Sequence, residues 1–332
     1  YNYWNYNESQ RVEQNWYTFE TDMVVVDPNS KEYEDYKEAH EGKEFATAWF
    51  TYTQPYFKNE EEDGTIKKTG DECAVNQQTD GSNRGGFPCE FGNKLQINAG
   101  ITTFLKALDN LTVLEVVDKG EANLYDMDPK HVSVKDSMWI TKLRMRGGIL
   151  RLAKVPMYVD KLEVYNYGLN NEATFRPVFN PIVGEKATEL LNQQKLVVNK
   201  EADFHNNKLK IDLYFNKYFT SLNQKVTVNI LELGQYTEKD KETDKDVIKD
   251  AVIKNLGGIN FNQGIVFDTK YYWKDKNLYV EITRTRNFGD FIHNDDKTIS
   301  DLLDSIANKY SIEVNKDGYY QYIDSKAADL NN

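Results

Sequence analysis

Short stretches in which apolar and polar residues alternate recur along most of the chain. A period of two is typical of β-strands that bury one face, because successive side chains in a strand point to opposite sides. The pattern predicts strands at 15–26, 46–57, 112–117, 139–146, 149–155, 161–167, 174–179, 207–215 and 224–233.

Helical spacing of apolar residues is confined to a few segments. The residues Ile101, Phe104, Leu105 and Leu108 predict a helix at 98–110, and a similar stripe predicts a last helix at 299–310. Asn29 followed by Glu32 resembles a capping box for a polar helix at 30–41. Two further helices are predicted at 184–194 and 246–256.

Two hairpins are predicted from turn residues. The segments 269–273 and 278–283 flank a short polar loop, in a register that places Trp273 beside Leu278, Tyr272 beside Tyr279, and Lys270 beside Glu281. Gly147-Gly148 fits a type I′ turn, because both glycines tolerate the positive φ angles of that turn. This second hairpin would pair Met145 with Leu150.

Strands outnumber helices in this prediction. The fold class expected is therefore α+β, dominated by antiparallel β-sheet in a sandwich-like arrangement, with about four or five short peripheral helices. The length fits two domains. We expect an N-terminal β-rich domain over 1–183 and a C-terminal α+β domain over 184–332, although one large domain fits the length as well.

Charge and motifs exclude several classes of function. The chain has 41 basic and 53 acidic residues, a net charge of −12 that disfavours nucleic acid and anionic lipid as partners. No apolar run approaches the length of a membrane span. The sequence contains no phosphate-binding loop, dinucleotide motif, nucleophile elbow or metal-binding motif, so neither cofactor nor metal is expected.

The two cysteines, Cys73 and Cys89, lie in a polar, glycine-rich segment. A disulfide between them would close a loop of about 17 residues and contribute about 3 kcal/mol in the chain-entropy model. Two unpaired thiols are the alternative. A disulfide would indicate an oxidising compartment, and a chain that begins with Tyr1 suggests a processed or trimmed product. These features favour an extracellular or cell-surface location.

A basic strip stands out in this acidic chain. The predicted Gly147-Gly148 hairpin would place Lys142, Arg144, Arg146 and Arg151 on one face, with Arg144 across from Arg151. Like charges in that position are destabilising unless an anion lies between them. Either carboxylates of a neighbouring strand neutralise the strip, or it binds an acidic partner such as a subunit, an acidic glycan or a phosphate.

The N-terminal segment is rich in aromatic residues. Tyr3, Trp4, Tyr6 and Trp16 could stack on sugar rings, anchor a protein interface or dock on the chain's own core.

Three functions follow, in order of preference. The first is a non-enzymatic extracellular or cell-surface protein that binds glycan or protein partners through β-sheet loops and exposed aromatic residues. The second is a structural subunit of a larger assembly, such as a virion, a tail or a surface fibre, whose partners are copies of the same chain (a homo-oligomer) or other subunits. The third is a secreted carbohydrate hydrolase, because two catalytic carboxylates meet in space and not in sequence.

Overall fold

The computed structural model describes residues 15–49, 93–107, 111–124, 138–152, 155–187, 194–215, 220–291 and 297–324. Within them lie two α-helices, α1 (Lys31–Ala39) and α2 (Lys297–Tyr310). The strands of the first half are β1 (Asn15–Phe19), β2 (Met23–Val25), β3 (Thr47–Ala48), β4 (Asn93–Ile97), β5 (Ile101–Phe104), β6 (Leu111–Asn123), β7 (Trp139–Leu152), β8 (Met157–Tyr165) and β9 (Thr174–Phe179). Those of the second half are β10 (Leu196–Asp203), β11 (Leu209–Ile211), β12 (Tyr214–Phe215), β13 (Lys225–Leu233), β14 (Gln235–Lys239), β15 (Asp246–Asp250), β16 (Val252–Lys254), β17 (Ile259–Phe261), β18 (Phe267–Lys274), β19 (Asn277–Arg284), β20 (Ile312–Val314) and β21 (Tyr320–Tyr322).

One large mixed sheet of 17 strands, most of them parallel, dominates the described residues. The predicted antiparallel, sandwich-like fold with four or five helices is therefore wrong. The parallel strands form stacked coils in which each coil pairs with the next one. Ladder one runs through β1, β4, β6, β7, β8, β10 and β16, and ladder two runs through β2, β5, β6, β7, β9, β11 and β17.

The long strands β6 and β7 contribute to both ladders because each bends in its middle. In β7 the bend is at Gly147 and Gly148, with φ angles of 66° and 75°. The prediction that these glycines take positive φ is correct, but the predicted hairpin is wrong, since the chain turns a corner and continues. Gly147 stacks on Asp118 of the β6 bend. A Cβ at Gly148 would lie 2.6 Å from Val116, so the stacked corners leave no room for a side chain.

The core lies inside the coils and is built from in-register stacks of apolar side chains. In ladder one, Leu95, Leu114, Leu143 and Leu162 follow one another on successive strands, and all are buried. In such stacked architectures each coil stabilises its neighbours, and stability is approximately a sum of coil and interface contributions. Strands β8 and β10, on either side of the predicted domain boundary at 183/184, pair directly.

The helix predictions gave mixed results. Helix α1 confirms the predicted helix at 30–41, although Ser30 rather than Asn29 provides the N-cap. The predicted helices at 98–110 and 246–256 are wrong, because β5 and the strands β15 and β16 occupy those segments. Most of the predicted helix at 184–194 lies outside the described residues.

Helix α2 confirms the position of the last predicted helix, but its apolar stripe does not face the core. Its buried residues are Ser300 and Ala307, whereas Ile299, Leu302 and Leu303 are exposed. The helix is attached by its polar side, where the Asp304 carboxylate accepts a hydrogen bond from the buried Arg284.

Antiparallel pairing is concentrated near the C-terminal end of the stack. Strand β13 pairs in parallel with β10 and antiparallel with β19, and β19 pairs with β18. The β18–β19 hairpin confirms the predicted register, including Trp273 beside Leu278 and Lys270 beside Glu281. Its turn residues Asp275 and Lys276 both have positive φ, as a two-residue I′ turn requires.

Candidate functional site

The predicted basic strip is part of an ion-pair network on the outer side of ladder one. Arg144 is fully buried and donates to Glu115 at 2.6 Å and to Glu163 at 3.0 Å. Arg146 donates to Glu115 at 3.0 Å, and Lys142 lies 3.2 Å from Glu163. The parallel register creates these contacts, because it places Glu115 and Glu163 on either side of Arg144. Carboxylates of the two neighbouring strands therefore counter the charge of the strip.

The electrostatics of Glu115 follow from this environment. Burial by itself raises the pKa of the Glu115 carboxyl, but the positive charges of Arg144, Arg146 and Lys94 outweigh it and hold that pKa below its ordinary value. A buried carboxylate that remains charged needs such partners. The network thus stabilises the fold and presents little free cationic surface.

Arg151 lies apart from the other three basic residues. It follows the bend in β7 and belongs to ladder two, where it is stacked between Asn123 and Arg176. Its guanidinium lies 4.4 Å from the centre of the Tyr214 ring. The predicted position of Arg151 across from Arg144 is therefore wrong, because it depended on the hairpin that the corner replaces.

The other predicted site residues fall mostly beyond the described part of the chain. Tyr3, Trp4, Tyr6, Cys73 and Cys89 lie outside the described residues. The backbone of Trp16 lies in β1, paired with Lys94 of β4.

A different group of aromatic side chains shares one side of the sheet. A single row of in-register neighbours crosses five strands and consists of Trp139, Tyr158, Val197, Glu232 and Asn277. Neighbours in register lie on the same side of a sheet. At one end of the row, Trp139 is 46% exposed and its ring stacks on Tyr158 at 4.1 Å with an interplanar angle of 4°.

A second aromatic pair lies at the other end of this surface. Tyr279 is two residues from Asn277 in β19 and therefore points to the same side. Tyr272 of β18 lies directly opposite Tyr279, and the two rings stack at 5.4 Å. Tyr272 is 37% exposed. We call this surface the aromatic face, and define it by Trp139, Tyr158, Glu232, Asn277, Tyr279 and Tyr272.

Hydrogen-bonding groups lie between the two aromatic pairs. The Glu232 carboxylate accepts from Lys195, and Asn229 donates to the Asn277 side-chain oxygen at 2.8 Å. Burial, followed by the negative charge of Glu232, raises the pKa of the Tyr158 hydroxyl. In the row, Glu232 lies two strands from Tyr158, with Val197 between them.

The spacing of the face is set by the strands. Three strand steps separate Tyr158 from Tyr279, which corresponds to about 14 Å at the usual spacing of about 4.8 Å. The face therefore offers two stacking surfaces with carboxylate and amide groups between them. An extended ligand with flat apolar rings and polar edges matches this arrangement.

Sequence reasoning found half of this face. The predicted β18–β19 register already placed Tyr272 beside Tyr279. The other half was missed because Trp139 and Tyr158 meet only through parallel pairing of β7 with β8. The only available signal was that Trp139 begins one predicted strand and Tyr158 precedes another.

Metal-binding clusters and membrane-spanning helices are both absent from the described ranges. No group of three or more His, Cys, Asp or Glu side chains within them could hold a metal ion. No helix among them is long and apolar enough to cross a membrane.

Comparison with known proteins does not identify the site. No protein-family model, curated protein or solved structure matches the chain.

Proposed function

We propose that the protein is a non-enzymatic extracellular or cell-surface protein that binds a glycan chain through the aromatic face. The observation that carries the proposal is the pair of stacked aromatic groups, Trp139 with Tyr158 and Tyr272 with Tyr279, on one side of one row of strands. Sugar rings have apolar faces that pack on aromatic rings and hydroxyl edges that need hydrogen-bonding partners.

The groups between the aromatic pairs favour a glycan over a protein partner. The fully buried centre of a protein interface is typically apolar and depleted in charge. Here Val197 in the middle of the row is buried, and the side chains around it include Glu232, Lys195 and Asn277, which can exchange hydrogen bonds with hydroxyl groups. A glycan that runs across the strands would contact both aromatic pairs and these polar groups together.

The proposal is tested first by screening the intact chain on a glycan array and then by calorimetry with the glycan that binds. We expect Trp139→Ala and Tyr272→Ala each to weaken binding about tenfold, which corresponds to about 1.4 kcal/mol for a lost stacking surface. Tyr214→Ala is the matched control, because Tyr214 is similarly exposed but lies on β12, away from the aromatic face.

Two results would contradict the proposal. One is that no glycan binds, or that both face variants bind like the wild type. The other is that chromatography of the bound glycan shows shortened products, which would identify a hydrolase.

A further inference from the structure

Strand β18 forms an open edge of the sheet. It pairs with β19 on one side, and no strand among the described residues pairs with its other side. Asp268 and all five residues from Lys270 to Lys274 are exposed. An edge strand of this kind presents a row of unpaired backbone N–H and C=O groups, which can pair with another chain.

We infer that β18 is a dimer interface that pairs antiparallel with β18 of a second copy of this chain. The two-fold axis is perpendicular to the sheet and passes midway between Tyr271 and its equivalent in the second copy. This geometry places Asp268 opposite Lys274 of the second copy and Lys270 opposite its Tyr272. The symmetry repeats each contact, so the same strand supplies two opposite-charge pairs and two cation–aromatic pairs.

The opposite side of the strand is equally self-complementary. Tyr271 lies beside its own equivalent, and Thr269 lies beside Trp273 of the second copy. Aromatic–aromatic and aromatic–β-branched pairs are favourable cross-strand neighbours. Tyr271 and Trp273 are both exposed in the single chain, so the pairing removes apolar surface from water.

Charge selects this register over its neighbours. A register centred on Lys270 would place that lysine opposite Lys270 of the second copy. A register centred on Tyr272 would place Lys270 opposite Lys274 of the second copy. Like charges directly opposite each other are destabilising. Lysines on an edge strand normally discourage pairing, but in the register centred on Tyr271 each lysine meets an anion or an aromatic ring.

The contacts that these residues already make leave the outer backbone edge of β18 unpaired among the described strands. Lys270 lies 3.0 Å from Glu281 of β19, and the Tyr271 ring lies 6.4 Å from the Phe261 ring. Asp268 lies 3.2 Å from Arg286 in an exposed ion pair, and exposed pairs contribute little to stability. Lys274 has no ion pair among the described residues. The dimer would also join the aromatic faces of the two copies, because Tyr272 lies on that side of β18.

A charge-swap series on the full-length chain tests the interface by sedimentation equilibrium. The wild type should form dimers, and D268K or K274D alone should each weaken dimerisation about tenfold by creating like-charge pairs. The double variant D268K/K274D should restore it, because the pair is re-formed in reverse. A wild type that stays monomeric up to about 1 mM, or a double variant no better than the single variants, would overturn the inference.

Cross-linking tests the register independently of the charges. In a Cys73→Ser/Cys89→Ser background, Tyr271→Cys should give a disulfide-linked dimer on mild oxidation, because position 271 faces its own equivalent at the axis. Tyr272→Cys, on the next residue, should not, because it faces position 270. Equal cross-linking at both positions would refute the register. Neither experiment uses a glycan, so dimerisation and glycan binding can fail separately.

Discussion

The ion-pair network on ladder one offers the sharpest test of how the fold is stabilised. We consider Glu115→Gln, which keeps the shape of the side chain but removes its negative charge. Arg144 would then remain buried with Glu163 as its remaining carboxylate among the described residues. Arg146 would keep its position but no longer face a negative charge at residue 115, to which it donates at 3.0 Å.

The expected cost follows from the burial of the pair. Breaking a buried ion pair by removing one partner typically costs about 3–5 kcal/mol, because the other charge stays buried without compensation. Since Glu163 still accepts a hydrogen bond from Arg144, we expect the free energy of unfolding to fall by about 3 kcal/mol, near the lower end of that range. Glu163→Gln is the matched control. It removes another carboxylate from the same arginine, but Glu163 is partly exposed, so we expect a loss of about 1 kcal/mol.

Urea unfolding followed by circular dichroism measures both losses. The pKa of Glu115 lies below its ordinary value of 4.5 in the folded chain. Its stabilisation is therefore fully present above pH 4.5 and disappears as the pH falls through the folded-state pKa. The difference between wild type and Glu115→Gln should accordingly shrink in acid.

Two outcomes would refute this reasoning. The first is a loss below about 1 kcal/mol for Glu115→Gln at neutral pH, which would mean that the network does not compensate a buried charge. The second is a difference from the wild type that stays constant down to low pH, because Glu115 would then not titrate as its partners require.

Two further predictions concern packing and a buried hydroxyl. Gly120→Ala should destabilise the fold by about 2 kcal/mol in urea unfolding, because its Cβ would lie 2.2 Å from the Ile97 carbonyl oxygen, whereas Gly264→Ala, with nothing within 4 Å, should be neutral. Burial raises the pKa of Tyr320 to about 12. The free energy of unfolding of the wild type should therefore fall by up to about 3 kcal/mol between pH 10 and 12, whereas that of Tyr320→Phe should not fall for this reason. In an ultraviolet titration, the wild type should show one tyrosine that ionises later than the others, and Tyr320→Phe should not. That result would confirm that the raised pKa belongs to Tyr320.

Local features of the fold could be predicted from the sequence because they depend on residues that are close along the chain. The β18–β19 hairpin is an example, since a short polar loop and matched residues such as Lys270 and Glu281 fix its register. Helices α1 and α2 were readable from caps and apolar spacing. The alternation of apolar and polar residues also located most of the long strands.

The direction of pairing was not readable from the sequence. A strand in a stacked coil turns one apolar face to the core, as a strand in an antiparallel sandwich does, so alternation of apolar and polar residues does not distinguish the two. Gly147 and Gly148 take the predicted positive φ angles in either arrangement. What makes them a corner is the neighbouring coil, where Val116 packs against Gly148.

The sequence by itself therefore located several of the long strands and the β18–β19 hairpin, whose partners are close along the chain. It missed β10 and assigned the segments of β5, β15 and β16 to helices. Only the tertiary structure decided that the coils stack in parallel. That stacking brings Glu115 and Glu163 to Arg144, and brings Trp139 to Tyr158. Contacts between coils join residues about twenty or more positions apart. Their register depends on the packing of whole coils against one another, which no local pattern encodes.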